Sequence, residues 1–161
     1  MEIKAKQCGY VLFAMFISAL VASASGLATK KALTLSVAKE VAASAEAHAL
    51  KNGWNVVIAI VDDGGNLLYL ERMDGAQIGS IEVAIKKAET AISYRRSTKV
   101  FGDAVSNGVT AVLGLPGVLP FEGGVLLKSG DDLLGAIGVS GVTAQQDGMI
   151  AEAGVHVLKH E

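Results

Sequence analysis

The sequence predicts an α/β protein of the α+β kind, a largely antiparallel sheet with helices packed on it. Two observations predict this. Apolar segments occur as two pairs, each joined by a tight polar turn, Asp62-Asp63-Gly64-Gly65-Asn66 in the first and Ser129-Gly130-Asp131-Asp132 in the second. Strands joined that closely cannot run parallel, because a parallel crossover needs a dozen or more residues. Stretches with helical spacing of apolar residues lie before, between and after the two pairs, so the order is helix, hairpin, helices, hairpin, helix.

The first helix runs from Thr34 to Lys51, with Leu35, Ala38, Val41, Ala42, Ala45 and Ala49 on one side and Lys39, Glu40 and Glu46 elsewhere. Thr34 or Ser36 can cap it, and Asn52-Gly53 stops it. Trp54 to Val61 is a nearly continuous apolar run rich in β-branched residues, as expected of a buried strand, and Leu67 to Arg72 returns as a half-buried one. A second helix starts at Ser80, a candidate cap, and carries Ile81, Ala84, Ile85, Ala88 and Ile92 in a stripe. Val83, Lys87, Thr90 and Tyr94 border that stripe, either as the lining of a pocket or as a solvated flank.

Arg95-Arg96-Ser97-Thr98 breaks the pattern, and Thr98 can cap a short helix reaching about Val105. Between Asn107 and Glu122, three glycines and two prolines leave room for no long element, so a loop with one short strand around Val109–Leu113 is expected. Gly124–Lys128 and Leu133–Val139 read as the second hairpin. The last helix opens at Thr143, where Gln146 completes a Thr-x-x-Gln capping box, and buries Ile150, Ala153 and Val157.

The start of the chain reads differently. Lys4 and Lys6 precede an apolar run from Tyr10 to Ala22, interrupted only by Ser18 and ending in Ala22-Ser23-Ala24. This is the pattern of a secretory signal peptide with cleavage after Ala24. The run is shorter than the roughly 20 residues of a membrane-spanning helix, so no stable anchor is expected after cleavage. Residues 25–161 then form a single domain outside the cytoplasm, periplasmic or secreted. Cleavage takes Lys4, Lys6 and Glu2 from the 14 basic and 16 acidic residues, leaving 12 and 15 and a net charge of −3. That balance argues against a nucleic-acid partner. The only cysteine, Cys8, leaves with the signal, so disulfides and thiolate-held metals are excluded and stability must come from apolar burial.

Several stretches taken together carry a family resemblance. They are Ile58-Ala59-Ile60-Val61-Asp62-Asp63-Gly64-Gly65-Asn66, Arg72-Met73-Asp74-Gly75-Ala76, Lys87-Ala88-Glu89-Thr90-Ala91, Gly123-Gly124-Val125, and Gly135-Ala136-Ile137-Gly138-Val139-Ser140-Gly141 followed by Gln146-Asp147. In this order, across about Leu33 to Leu158, the chain resembles the GlcG/HbpS-like family, also called the haem-degrading domain family. The resemblance implies a profilin-like fold, roughly a five-stranded antiparallel sheet with helices on both faces. It also implies assembly into symmetric homo-oligomers and a link to haem, with some members beside glycolate, propanediol or cobalamin metabolism. Two positions depart from the family pattern. Gly-Gly-x-Pro is Gly123-Gly124-Val125-Leu126 here, and the glycine expected after Gly141 is Val142.

Haem needs an apolar slot, cations for its propionates and, usually, an axial ligand. His48 is the candidate iron ligand, although a lone histidine late in a helix is also an ordinary surface or interface residue. Lys87, Thr90, Tyr94, Arg95, Arg96 and Thr98 are the candidate ligand-binding segment, Thr98 lying at a helix start where amides and two arginines favour an anion, or acting only as the cap. Arg72 is the one arginine outside that segment. It can grip a carboxylate, or pair internally with Glu71 or Asp74. Asp62 to Asn66 resembles a calcium loop but lacks the glutamate twelve positions on and reads as a turn. No Ser-His-Asp set, Cys-His pair, phosphate loop or His-x-x-x-His pattern is present, and no catalytic residue is assigned. Three functions remain in view: an exported haem- or tetrapyrrole-binding protein, an enzyme or accessory factor for a small carboxylate such as a hydroxy acid, using Arg72 and Lys87, and a structural oligomer or sensor partner without a ligand.

Overall fold

A computed structural model describes residue 26 and residues 29–160 of the chain. The expected signal peptide, residues 1–24, lies outside the described residues. Among these, no helix is long and apolar enough to cross a membrane. The elements are α1 (Leu35–Lys51), β1 (Val57–Asp62), β2 (Leu67–Arg72), α2 (Ser80–Tyr94), α3 (Lys99–Ser106), a 3-10 turn (Thr110–Gly114), β3 (Gly124–Ser129), β4 (Asp132–Ser140), α4 (Ala144–Val155) and a second 3-10 turn (His156–His160).

The described strands form one antiparallel sheet of four, in the order β2-β1-β4-β3. Roughly five strands were expected. The expected strand at Val109–Leu113 is the first 3-10 turn instead, and the outward-facing amide and carbonyl of Gly124, where a fifth strand would pair with β3, are taken by Thr98.

β1 lies between two partners, and Val57 to Val61 are fully buried, which is why this strand reads as a continuous apolar run. Its pleat divides the core. Ile58 and Ile60 face α1 and α4 together with Val125, Leu127, Ile137 and Val139. Val57, Ala59 and Val61 face α2 through Ala84, Ala88 and Ala91. Helices therefore cover both faces, and each fully buried Val or Ile contributes about 1.5–3 kcal/mol. Gly138 sets how close α2 comes. A Cβ there would sit 2.0 Å from the Ala84 carbonyl oxygen, so only glycine lets the helix lie directly on β4.

The ends of the helices follow local chemistry in part. The Thr34 hydroxyl accepts from the Val37 amide at 3.3 Å, and Thr143 and Gln146 form the full capping box of α4. Ser80 is not a cap. It is the first residue of α2, buried, with its hydroxyl between the Gln77 side-chain amide and the Ser140 hydroxyl, each at 3.1 Å. In the β1–β2 turn Asp62 Oδ1 accepts from the amides of Gly64 and Asn66 at 2.9 and 2.8 Å. These bonds, that of Asn66 foremost, hold the Asp62 carboxyl below its ordinary pKa.

Candidate functional site

Five of the seven candidate ligand-binding residues meet along one seam, where α2 and the start of α3 hold the irregular segment 107–124. Lys87 lies at its inner end. Its side chain is 2% exposed, and Nζ donates to Asp147 Oδ2 at 2.7 Å and to the Val139 carbonyl at 2.9 Å. Asp147, in the first turn of α4, also accepts from the Val142 amide at 3.2 Å. Burial pushes the Lys87 pKa down against the pull of Asp147, and pushes the Asp147 carboxyl up against the pull of Lys87. Gly123, at φ 128°, makes room for the ammonium. A Cβ there would stand 2.8 Å from Nζ.

Further along α2, the buried Thr90 hydroxyl donates to the Gly117 carbonyl at 3.1 Å and accepts from the Leu119 amide at 3.0 Å. The Tyr94 hydroxyl donates to the Pro116 carbonyl at 2.7 Å, and its ring meets Phe101 edge-on at 5.4 Å. Arg96 lies over Phe101, 5.8 Å from the ring centre, and its Nε donates to the Tyr94 carbonyl. The Thr98 side chain does not cap α3. It is buried and accepts from the Gly124 amide at 2.8 Å, while the Thr98 amide donates to the Gly124 carbonyl. The flank of α2 is thus covered by segment 107–124 rather than open as a pocket.

Two candidates stand outside the seam. Arg95 ends α2 in the left-handed region, φ 52°, beside a cleft of about 450 Å³ lined by Asp63, Asp131 and Asp132. Asp63 pairs there with Lys30 and Asp132 with Lys31, so Arg95 faces a cleft whose charges are largely compensated. Arg72 is exposed on the edge strand β2, opposite Val57 and so on the α2 side of the sheet. No ion pair joins it to Glu71 or Asp74 among the described residues. Arg72 and Lys87 are not brought together as a carboxylate grip, since the Lys87 ammonium is enclosed.

His48 is on the other face of the sheet, half-buried late in α1, its ring 6.2 Å from Trp54 and tilted by 49°. Lys51 lies one turn further and is exposed. On the same face the Tyr69 hydroxyl donates to Glu71 Oε2 at 2.8 Å, which raises the tyrosine pKa, and the neighbouring Glu71 charge raises that of Glu46. Asp147 is the residue that reasoning from local pattern missed. Its sole signal was membership of the Gln146-Asp147 stretch that recurs with the Lys87 stretch in the family resemblance.

These stretches match a family model described as "Haem degrading protein HbpS-like" over residues 33–156. The chain belongs to the HbpS-like family. It is 40% identical to protein GlcG of Escherichia coli K12 over 112 residues, 70% of this chain and 84% of that protein. Among solved structures of the family, a double mutant of Streptomyces reticuli HbpS matches with a TM-score of 0.76 at 33% identity, covering 86% of this chain and 95% of that one. A PduOC:haem complex matches with a TM-score of 0.70 at 30% identity, covering 78% and 94%. In this chain the α2 flank and the His48 surface lie on opposite faces of the sheet.

Proposed function

We propose that this HbpS-like chain is an exported protein that binds haem or another tetrapyrrole and assembles with copies of itself. Kinship with a family named for haem, and with a structure that is a haem complex, supports the ligand. The observation in this chain that carries the reading is the His48–Trp54 pair. His48 is the described histidine that lies against an aromatic ring, and its half-buried imidazole makes no side-chain hydrogen bond among the described residues.

Of the groups haem needs, His48 would hold the iron through its imidazole, Trp54 would offer an apolar face and Lys51 would offer a cation for a propionate. Bound there, haem would supply iron redox chemistry at a surface without thiols. Arg72, Tyr94, Arg95 and Arg96 lie across the sheet, so within one chain they serve a different surface from His48. Thr90 and Thr98 act at one remove, by holding the segment beneath which they are buried, and Lys87 by holding Asp147. The signal-like residues 1–24 support export.

Titration of the purified protein with haemin, followed at the Soret band, tests the ligand. A shifted band saturating at one haem per chain is expected, with at least about a tenfold loss of affinity in His48→Ala. No spectral change in the unsubstituted protein would overturn haem binding. Equal affinity in the variant would overturn the role of His48 alone.

A further inference from the structure

The chain has four asparagines, and two of them, Asn52 and Asn107, precede a glycine. Such a pair carries its own chemistry. The glycine nitrogen attacks Cγ of the asparagine side chain, and the side-chain nitrogen leaves as ammonia. Water then opens the cyclic imide to aspartate or to isoaspartate, whose backbone runs through the former side chain. Glycine favours the step because it has no side chain to obstruct its own nitrogen.

The two pairs have matching backbones. Each asparagine is exposed and ends a helix, Asn52 on α1 and Asn107 on α3, with ψ 1° and 12°, and each following glycine is left-handed, φ 69° and 83°. The amides of Gly53 and Trp54 donate to the Leu50 and Ala49 carbonyls, and those of Gly108 and Val109 donate in the same way to Val105 and Ala104. At these ψ values the glycine nitrogen is turned away from Cγ, so the ring closes only when the cap opens.

What holds each cap shut is different. Asn52 Nδ2 donates to the His48 carbonyl at 2.8 Å, whereas the Asn107 side chain makes no hydrogen bond among the described residues. α1 spans 17 residues with five buried, and it continues through the half-buried Trp54 into the buried Val56 and β1. α3 spans eight residues with Phe101 alone buried, and none of residues 107–121 after it is buried. A segment with few buried contacts opens locally at little free energy, so the Asn107 cap opens more often than the Asn52 cap.

We propose that Asn107 is the site at which this protein deamidates, that Asn52 is spared by its bond to His48 and its packed helix, and that conversion of Asn107 loosens the junction between α3 and segment 107–121. The new carboxylate stands at a helix end where the backbone carbonyls already concentrate negative charge, one turn after Asp103, and isoaspartate lengthens the backbone inside the turn that Gly108 and Val109 close.

Purified protein held at mildly alkaline pH and sampled over time tests this, with peptide mass spectrometry reading a gain of about 1 Da at each asparagine. In the folded protein Asn107 should convert at least about fivefold faster than Asn52. In urea, where neither cap exists, the two rates should agree within about twofold. Equal rates in the folded protein, or faster conversion of Asn52, overturn the assignment. So does a difference that persists in urea, because its cause would then be the neighbouring sequence and not the fold. Asn107→Asp reproduces the aspartate product, and hydrogen exchange at the Gly108 and Val109 amides should be at least about fivefold faster in it than in the parent. Unchanged exchange overturns the loosening and leaves the deamidation site standing.

Discussion

Replacing Lys87 by methionine keeps the length and most of the volume of the side chain and removes its charge, so the effect isolates the buried ion pair. Asp147 then stays enclosed, its side chain 4% exposed, with the Val142 amide still donating to it but no cation within reach. Breaking a buried pair by removing one partner costs about 3–5 kcal/mol, and the Val139 carbonyl loses a donor worth about 1 kcal/mol more. Part of this is recovered when Asp147 takes up a proton, which its raised pKa already favours. A net loss of about 4 kcal/mol is expected, a large share of the 5–15 kcal/mol that holds a typical domain folded. Urea unfolding at neutral pH measures it. The double variant Lys87→Met/Asp147→Asn should lose less than the two single variants summed, because the second substitution removes the charge that the first one strands. A Lys87→Met protein within 1 kcal/mol of the parent, or strict additivity in the cycle, would refute the assignment of this pair as the tie between α2, β4 and α4.

Three further outcomes follow from the geometry. Gly138→Ala places a methyl 2.0 Å from the Ala84 carbonyl oxygen and should cost about 2–3 kcal/mol in the same unfolding assay as α2 lifts from the sheet. Thr90→Val removes both hydroxyl bonds to segment 107–122, and limited proteolysis should show about a tenfold rise in cleavage within it at roughly 1–2 kcal/mol of local stability. Glu46 has a folded-state pKa above its ordinary 4.5, so the stability it contributes is complete below that pH and is lost as pH rises through the higher value. Urea midpoints should therefore fall as pH rises above about 4.5, and the fall should be smaller in Glu46→Gln; identical profiles would dismiss the Glu46–Glu71 coupling.

The sequence made the fold legible wherever local chemistry decides it. The alanine stripe of α1, the Asp62–Asn66 turn and the Thr143–Gln146 box each act within a few residues and appear where expected. Val109–Leu113 misled because β-branched residues suit a strand only when an edge is free to pair with them, and Thr98 occupies the edge of β3 at Gly124. Ser80 and Thr98 look like caps by type, yet long-range partners claimed both hydroxyls, Ser140 for one and Gly124 for the other. The candidate site was legible as a list of polar residues beside a stripe, but not in its use. Lys87 finds its partner 60 residues away, and no spacing rule reaches that far. The pairing of His48 with Trp54 was equally hidden, since it depends on the turn at Asn52-Gly53 bringing the indole back beside the end of α1.

The separation between Lys87 and Asp147 also bears on the order of folding. The helices and the two hairpins close over short stretches of chain, whereas this pair exists only once α4 has docked on the finished sheet. β1 and β4 pair over still longer stretches, so the pair acts on the unfolding rate only where α4 docks after that sheet has closed and the transition state has passed. With that order of docking the ion pair acts as a kinetic latch. Its removal should leave the refolding limb of a chevron almost unchanged and steepen the loss of the native state with time, so that the pair sets how long a folded molecule lasts rather than how fast one forms.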